Sequence, residues 1–387
     1  MKHGWQTKTL GTVCVVDKCQ GVHKSLPYVG LEHIESHTGR FIGSTDPLGV
    51  KSSTFKFSQE HLLYGRLRPY LNKAMLPNFT GHCSTEIFPL KPRPGLSREF
   101  LQYWFLRDAT VEQIDATSTG ARMPRANMNA ILDFEFLLPP LPEQRRIVGI
   151  LDEAFAGIAT AKANAEKNLQ NARALFESYL QSVFADAWRT CKLVTLLDLA
   201  SDITDGDHMP PPKSPTGVPF ITIGNINKNT RRINFSDTFK VSHGYFDGLK
   251  INKKPKLGDV LYTVTGSFGI PVLVRDNINF CFQRHIGLVR PKTETSSAWL
   301  YYLLMSPQVF QQANDGATGT AQKTVSLKVL RGLQVPKLPL TRQQSDVAKL
   351  DVLSEESRGL EAIYQRKLAA LDELKKSLLH QAFTGNL

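Results

Sequence analysis

Residues 138–152 read LPPLPEQRRIVGILD, and residues 337–351 read KLPLTRQQSDVAKLD. In both stretches a proline-marked stop gives way to a helical pattern, and Gln144, Val148, Leu151 and Asp152 recur 199 residues later as Gln343, Val347, Leu350 and Asp351. The match spreads outward without a gap from Phe100 to Phe184: Tyr103 with Tyr302, Thr119-Gly120 with Thr318-Gly319, Leu169 with Leu368, Leu175 with Leu374, Leu180 with Leu379 and Phe184 with Phe383. A repeat of nearly half the chain is too long for a solenoid or a propeller and implies two copies of one domain about an approximate two-fold axis.

Toward the beginning of each copy the offset drifts. It is 183 at Trp5/Trp188, 185 at Gly21-x-His23/Gly206-x-His208 and 192 at Pro27-Tyr28-Val29/Pro219-Phe220-Ile221. Insertions therefore fall in a few loops while the framework persists, as expected when loops carry different specificities on a shared scaffold.

Each copy has mixed character. Short apolar runs such as Tyr28-Val29-Gly30-Leu31, Ile87-Phe88, Phe220-Ile221-Thr222-Ile223 and Val260-Leu261-Tyr262 lie between Gly, Pro and Asn and predict strands, with one helix over Phe100–Gln113 and its repeat over Trp299–Gln312. A long helix follows each proline stop; Pro142 suits the first turn of one and Thr341 is placed to cap the other.

In the first long helix Ile147, Leu151, Ala154, Ile158, Ala161, Ala165, Ala172, Leu175 and Tyr179 recur at steps of four and three; in the second, Leu350, Leu353, Leu360, Tyr364, Leu371, Leu374 and Leu378 hold the same register. This is a coiled-coil seam, with small residues of one helix facing large ones of the other, and it predicts an intramolecular antiparallel pair. Gly385 supplies the stop. Helices of about 45 residues make rods of roughly 65 Å.

At 387 residues, with 41% hydrophobic and 21% charged side chains, the chain reads as two to three ordinary globular domains, and its net charge of +12 favours a polyanionic partner. The five cysteines (Cys14, Cys19, Cys83, Cys191, Cys281) lack metal-ligand spacing and read as free thiols of a reducing cytosol. The opening MKHGWQTKTLG has no apolar signal core and no stretch is long enough to span a bilayer, so a cytoplasmic protein is expected.

Catalytic motifs are missing from the sequence: no Asn-Pro-Pro-aromatic or Asp-Pro-Pro-aromatic motif, no Gly-rich dinucleotide or S-adenosylmethionine turn and no P-loop. Asp372-Glu373-Leu374-Lys375 superficially resembles a nuclease motif but falls on a charged helix face, and Gly266-Ser267-Phe268-Gly269 reads as a tight turn between strands. No catalytic residue and no metal ligand set is assigned.

What remains is loops rich in basic, amide and imidazole groups. The first copy offers His23 and Lys24, then Arg66, Arg68, Asn72 and Lys73, then Arg122 and Arg125; the second offers His208, Lys228, Arg231, Arg232, Gln283, Arg284, His285, Gln322 and Lys323. Arg reads guanine and Asn or Gln reads adenine, while Lys and backbone amides hold phosphates, so these are the candidate DNA contacts. Arg66 and Arg68, two apart in an extended segment, are placed to point one way; a salt-bridged surface pair is the alternative.

These residues resemble the DNA specificity subunit of type I restriction-modification systems. Asp205-Gly206-Asp207-His208, Gly217-Val218-Pro219-Phe220-Ile221, Asn225-Ile226, Gly258-Asp259-Val260-Leu261-Tyr262, Gly319-Thr320-Ala321-Gln322 and Leu327 look like one target recognition domain of that family. Leu138 to Gln144 with the helix beyond looks like its central conserved region, and Leu340 to Leu387 like the distal copy. The distal copy departs from the family's Pro-x-Glu-Gln start, having Leu340-Thr341-Arg342-Gln343, and the loop after His23 is shortened.

The resemblance implies an α+β fold in which two repeated target recognition domains are separated by two long antiparallel coiled-coil helices with pseudo-two-fold symmetry. The divisions are residues 1–138 and 188–336 for the two recognition domains, and 139–187 and 337–387 for the helices. It also implies a chain with no activity of its own that reads a bipartite, asymmetric site in double-stranded DNA. The helices would set the unread spacer and dock two modification subunits that use S-adenosylmethionine to methylate adenine. Two restriction subunits using ATP and magnesium could join them. Gln144, Leu151, Ile158, Gln343, Leu350, Leu360 and Leu371 are the expected ruler and docking positions. Two competing readings are a self-sufficient methyltransferase or nuclease and a coiled-coil assembly protein that ignores DNA sequence.

Overall fold

The computed structural model describes residues 4–209, 211–320 and 322–387. It divides into two compact units, Met1–Lys167 with Tyr364–Leu387, and Asn168–Ile363.

The first unit is built on a four-stranded antiparallel sheet in the order Cys14–Val16, Ile87–Pro92, Leu62–Gly65, Ala74–Met75. All four residues of Leu62-Leu63-Tyr64-Gly65 are buried, so this central strand carries a continuous apolar run rather than an alternating one. A second sheet orders Gln20–Gly21, Thr54–Phe57, Gly81–Cys83 and Tyr28–Val29, its last pair parallel. The second unit repeats the plan. Ala200–Asp205, Ile286–Pro291, Val260–Thr263 and Pro271–Leu273 form the four-stranded sheet. Phe239–Val241, Val218–Ile221 and Cys281–Phe282 form the other, again ending in a parallel pair.

The helix expected over Phe100–Gln113 is two helices, Arg98–Leu106 and Asp108–Ala116, broken where Arg107 turns to an extended backbone. Its repeat breaks likewise at Ser306 into Ser297–Met305 and Pro307–Asp315. Pro307 explains the second break, because a residue before proline is disfavoured in the α conformation. The first helix of each pair is capped by a serine: Ser97 Oγ accepts from the Phe100 amide and Ser296 Oγ from the Trp299 amide.

The long helices span Leu141–Thr190 (proximal) and Leu340–Thr384 (distal). Thr341 therefore lies inside the distal helix instead of capping it. In the first unit the two run antiparallel: Arg146 donates to the Leu387 carbonyl at 2.7 Å, while Lys162, farther along, pairs with the earlier Asp372. The second unit pairs Arg173 with Glu361 at 2.8 Å and Asp186 with Arg342 at 3.8 Å, again in opposite directions. Each unit's core includes both helices. Phe100, Leu101, Phe136, Ile147, Leu151 and Phe383 cluster in the first; Leu180, Phe184, Trp299, Leu303, Val335 and Leu350 cluster in the second.

The seam differs in its middle from the small-against-large packing that the repeat pattern predicts. In the second unit Ala172 meets Ser357, whose hydroxyl donates to the Ala172 carbonyl at 2.7 Å, and Ser354 is buried nearby along the distal helix. Small residues thus face small ones. Leu175 is 54% exposed, Leu374 47% and Leu360 39%, so these three lie off the seam. The physical reason is drift: an unsupercoiled helix turns every 3.6 residues and walks away from a strict 3.5 repeat.

Candidate nucleic-acid interface

One polar joint fastens each helix to its sheet domain, and it occurs twice. In the first unit Gln144 Oε1 accepts from the Ser97 amide at 2.8 Å, and its Nε2 donates to the carbonyls of Gly95 and Pro139, both at 2.8 Å. In the second, Gln343 Oε1 accepts from the Ser296 amide at 2.8 Å, and Nε2 donates to Leu338 and Glu294 at 2.9 and 3.2 Å. Both glutamines are buried, so neither offers a surface to a partner, and the docking role expected for them falls away. Leu151, Ile158 and Leu350 are buried as well and Leu371 is half-buried.

With the frameworks matched, backbone hydrogen bonds give equivalent loop positions. The Arg66 amide donates to the Glu86 carbonyl, and the Ala126 amide to the Arg66 carbonyl. In the second unit the Val264 amide donates to His285, and the Val325 amide to Val264. Leu67 bridges Arg125 as Thr265 bridges Thr324. Arg66, Glu86 and Arg125 therefore correspond to Val264, His285 and Thr324.

Those three positions hold different chemistry. Arg66 Nε donates to Glu86 Oε2 at 2.9 Å, and its guanidinium lies 5.1 Å from the centre of the Phe88 ring. Arg125 Nε donates to Glu86 Oε1 at 3.0 Å and Oε2 at 3.2 Å. One carboxylate thus sits between two guanidiniums. Arg68 does not share the direction of Arg66, since it turns into a left-handed conformation (φ 52°) at the start of the short helix Pro69–Leu71. Its amide donates to the Pro124 carbonyl at 2.7 Å, which brings the 118–125 loop with exposed Arg122 beside it. Asn72 and Lys73 turn inward. Asn72 is buried, and Lys73 Nζ donates to the Leu31 carbonyl at 2.6 Å, where burial lowers the pKa of its amine.

His23 also faces the interior, its ring 5.8 Å from that of buried His82, with Nε2 of both lacking a partner among the described residues. Burial, then the neighbouring His23, hold His82 below the usual imidazole pKa. Lys24 is exposed.

In the second unit the turn between Val260–Thr263 and Pro271–Leu273 is the meeting point. Lys228 Nζ donates to Ser267 Oγ at 2.8 Å, and the Gly266 amide donates to the Lys323 carbonyl. Gly266 and Gly269 both have positive φ, as a tight turn requires. Lys323 Nζ donates to Asn314 at 2.9 Å, while Gln322 is exposed; Ala321, part of the same motif, lies outside the described residues. Gln283 is half-buried and Arg284 exposed; the Arg284 amide donates to the Asp207 carbonyl, joining this loop to the one bearing His208, which pairs with Asp205 at 2.9 Å. His285 is half-buried, and burial followed by Arg284 lowers its pKa. Arg232 is exposed, but Arg231 takes a left-handed turn (φ 51°) and its guanidinium is desolvated near Tyr301, Glu177 and Tyr262.

Sequence reasoning missed Glu86, which only the fold places between Arg66 and Arg125 and whose spacing announces nothing. Asp205 and Asp207 belong to the Asp205-Gly206-Asp207-His208 stretch, and Asp205 pairs with His208 three residues on. Among the described residues no cluster of three or more His, Cys, Asp or Glu side chains is arranged to hold a metal ion.

The family described as Type I restriction modification DNA specificity domain matches residues 2–170 and again 200–366. The chain belongs to this family. Its similarity to the EcoDI specificity subunit of Escherichia coli is 31% identity over 41% of this chain and 34% of that one. The EcoBI specificity subunit of Escherichia coli is 23% identical over 71% of this chain and 63% of that one. The chain thus spans about a third of the first relative and under two thirds of the second. A chain solved in work on assembly and conformational transition of a type I restriction-modification system superposes with a TM-score of 0.83 at 23% identity, covering 100% of this chain and 99% of that one. Membership in the specificity family accounts for the duplicated match, one domain model falling on each copy.

Proposed function

We propose that this chain is the DNA-specificity subunit of a type I restriction-modification enzyme and reads a bipartite, asymmetric duplex site. Residues 1–138 take one half-site and residues 188–336 the other. Helical residues 139–187 and 337–387 set the unread spacer and dock two modification subunits. The observation that carries the reading is a shared framework with unlike loop chemistry: Arg66, Glu86 and Arg125 in one unit stand at the positions that Val264, His285 and Thr324 hold in the other. Two scaffolds with one backbone and different side chains suit two different base sequences.

The chain performs no catalytic step in this reading. S-adenosylmethionine belongs to the modification subunits, and ATP with magnesium to two restriction subunits where these join; the complex works in the cytoplasm. Because Gln144 and Gln343 are buried, the docking surface on the helices falls to exposed apolar side chains: Leu374 in the first unit and Leu175, Val352, Leu360 and Ile363 in the second. Sequencing methylated adenines in the host genome with and without this gene tests the whole reading. One bipartite motif should vanish with the gene; an unchanged methylation pattern refutes the assignment.

A further inference from the structure

A guanidinium held through Nε keeps its two Nη groups as a free, planar fork. Arg66 is fixed this way twice over, since Nε is bonded to Glu86 at 2.9 Å and the plane rests against Phe88 at 5.1 Å. Its Nη groups have no protein partner among the described residues, and the side chain is 32% exposed at the edge where the 66–73 and 118–125 loops meet. Arg125 is bonded to the same carboxylate but bends one Nη back toward the Met123 carbonyl at 3.4 Å, so it braces rather than reaches.

We propose that Arg66 is a specificity-determining residue that reads a guanine in the half-site of the first unit, with Glu86 as its positioning residue. The inference rests on the DNA-specificity reading above and adds the base and the residue. A free Nη fork matches two acceptors side by side, which both the O6/N7 edge of guanine and a phosphate present. Glu86 favours the first: its carboxylate offsets part of the positive charge that would draw a phosphate and, by holding Nε, fixes the plane of the fork for a neutral base edge. The neighbouring Arg68 and Arg122, exposed and without side-chain partners among the described residues, are the ones suited to phosphates. In the second unit Val264 stands at the place of Arg66, so this contact has no counterpart at the other half-site.

The test is selection of bound duplexes from a randomised library by the full chain in the complex it forms, for the unaltered protein, Arg66→Lys, Arg66→Ala and Glu86→Gln. The unaltered protein should select a guanine at a fixed position of one half-site. Arg66→Lys keeps the charge and loses the fork, so the preference for that guanine should fall by about ten- to a hundredfold. The other half-site and the slope of affinity against salt should stay unchanged, which also shows that the variant folds. Glu86→Gln should weaken the same preference while leaving binding to unrelated duplex intact. An unchanged guanine preference in Arg66→Lys overturns the proposal. So does a uniform loss across all sequences in Arg66→Ala with the salt slope reduced by about one, the signature of a phosphate contact. If the unaltered protein selects no bipartite sequence at all, the specificity reading itself fails, and that outcome is distinct from the other two.

Discussion

Tyr103 donates its hydroxyl hydrogen to Asp152 Oδ1 at 2.5 Å, and Tyr302 donates to Asp351 Oδ1 at 2.6 Å. Each bond ties the helix of a recognition domain to a long helix, beside the Gln144 or Gln343 joint. Burial and then the carboxylate raise the pKa of both phenols. A raised phenol pKa gives stability that is complete below the unfolded value near 10 and lost as pH rises through the folded value. Tyr103→Phe and Tyr302→Phe should each cost about 1–3 kcal/mol and flatten the alkaline limb of a stability profile. The pairs share no partner, so the two costs should add in the double variant, as denaturant titration would reveal.

Buried Asp259 and half-buried Arg290 form a bidentate pair at 2.9 and 2.7 Å, and Asp259 also accepts from the Lys256 amide. Asp259→Ala would leave the half-buried Arg290 guanidinium with only the Lys254 carbonyl, at a cost of about 3 kcal/mol, the low end for breaking a buried pair. Lys91, the counterpart of Arg290 in the repeat, pairs instead with exposed Glu60 at 2.7 Å. Glu60→Ala should therefore leave the unfolding midpoint close to that of the parent.

His82 is fully buried and its pKa lies below 6.5 because burial disfavours the charged ring. A depressed imidazole pKa gives stability that is present above the unfolded value and lost as pH falls through the folded one. Hydrogen exchange from pH 7 to 5 should show the strands around His82, Tyr28–Val29 and Gly81–Cys83, loosening, while Val218–Ile221 and Cys281–Phe282, which have Cys281 at the matching position, should not; His285, the half-buried imidazole of the second unit, lies outside those strands. Equal loosening of both strand pairs would refute His82 as the cause.

At the seam, Ala172→Leu should overpack the contact with Ser357 and destabilise by about 1–3 kcal/mol. Leu360→Gln, off the seam, should change stability by under about 0.5 kcal/mol. Thermal unfolding of the two variants separates the cases; equal shifts would return Leu360 to the seam.

Four residues inserted beside Ala165, with four more opposite in the distal helix, should lengthen the helix pair by roughly 6 Å, close to two base pairs at about 3.4 Å each. The methylated motif should gain spacer to match. A motif with unaltered spacing would refute the ruler role.

Much of this was legible in the chain before folding. The duplication, the two long helices and the switch from short strands to helical periodicity are local or periodic signals, and these survive in one dimension. The Arg66–Arg68 reading failed for a local reason, the left-handed turn at Arg68, which no residue type there advertises. Lys73 and Arg231 look like free cations in sequence, but Lys73 is drawn to a backbone carbonyl and Arg231 is half-buried at a left-handed turn. Leu360 and Leu175 satisfied a heptad count that the helix geometry does not keep.

The amino-acid order by itself determined that one α+β plan is used twice and that each copy ends in a long helix, because repetition and hydrophobic period are properties of the chain. Tertiary structure alone decided which basic groups remain free. Whether an arginine is neutralised, buried or held with an open fork depends on an acid or a ring brought from another loop: Glu86 and Phe88 lie twenty or more residues from Arg66, and only the folded sheet places them beside it.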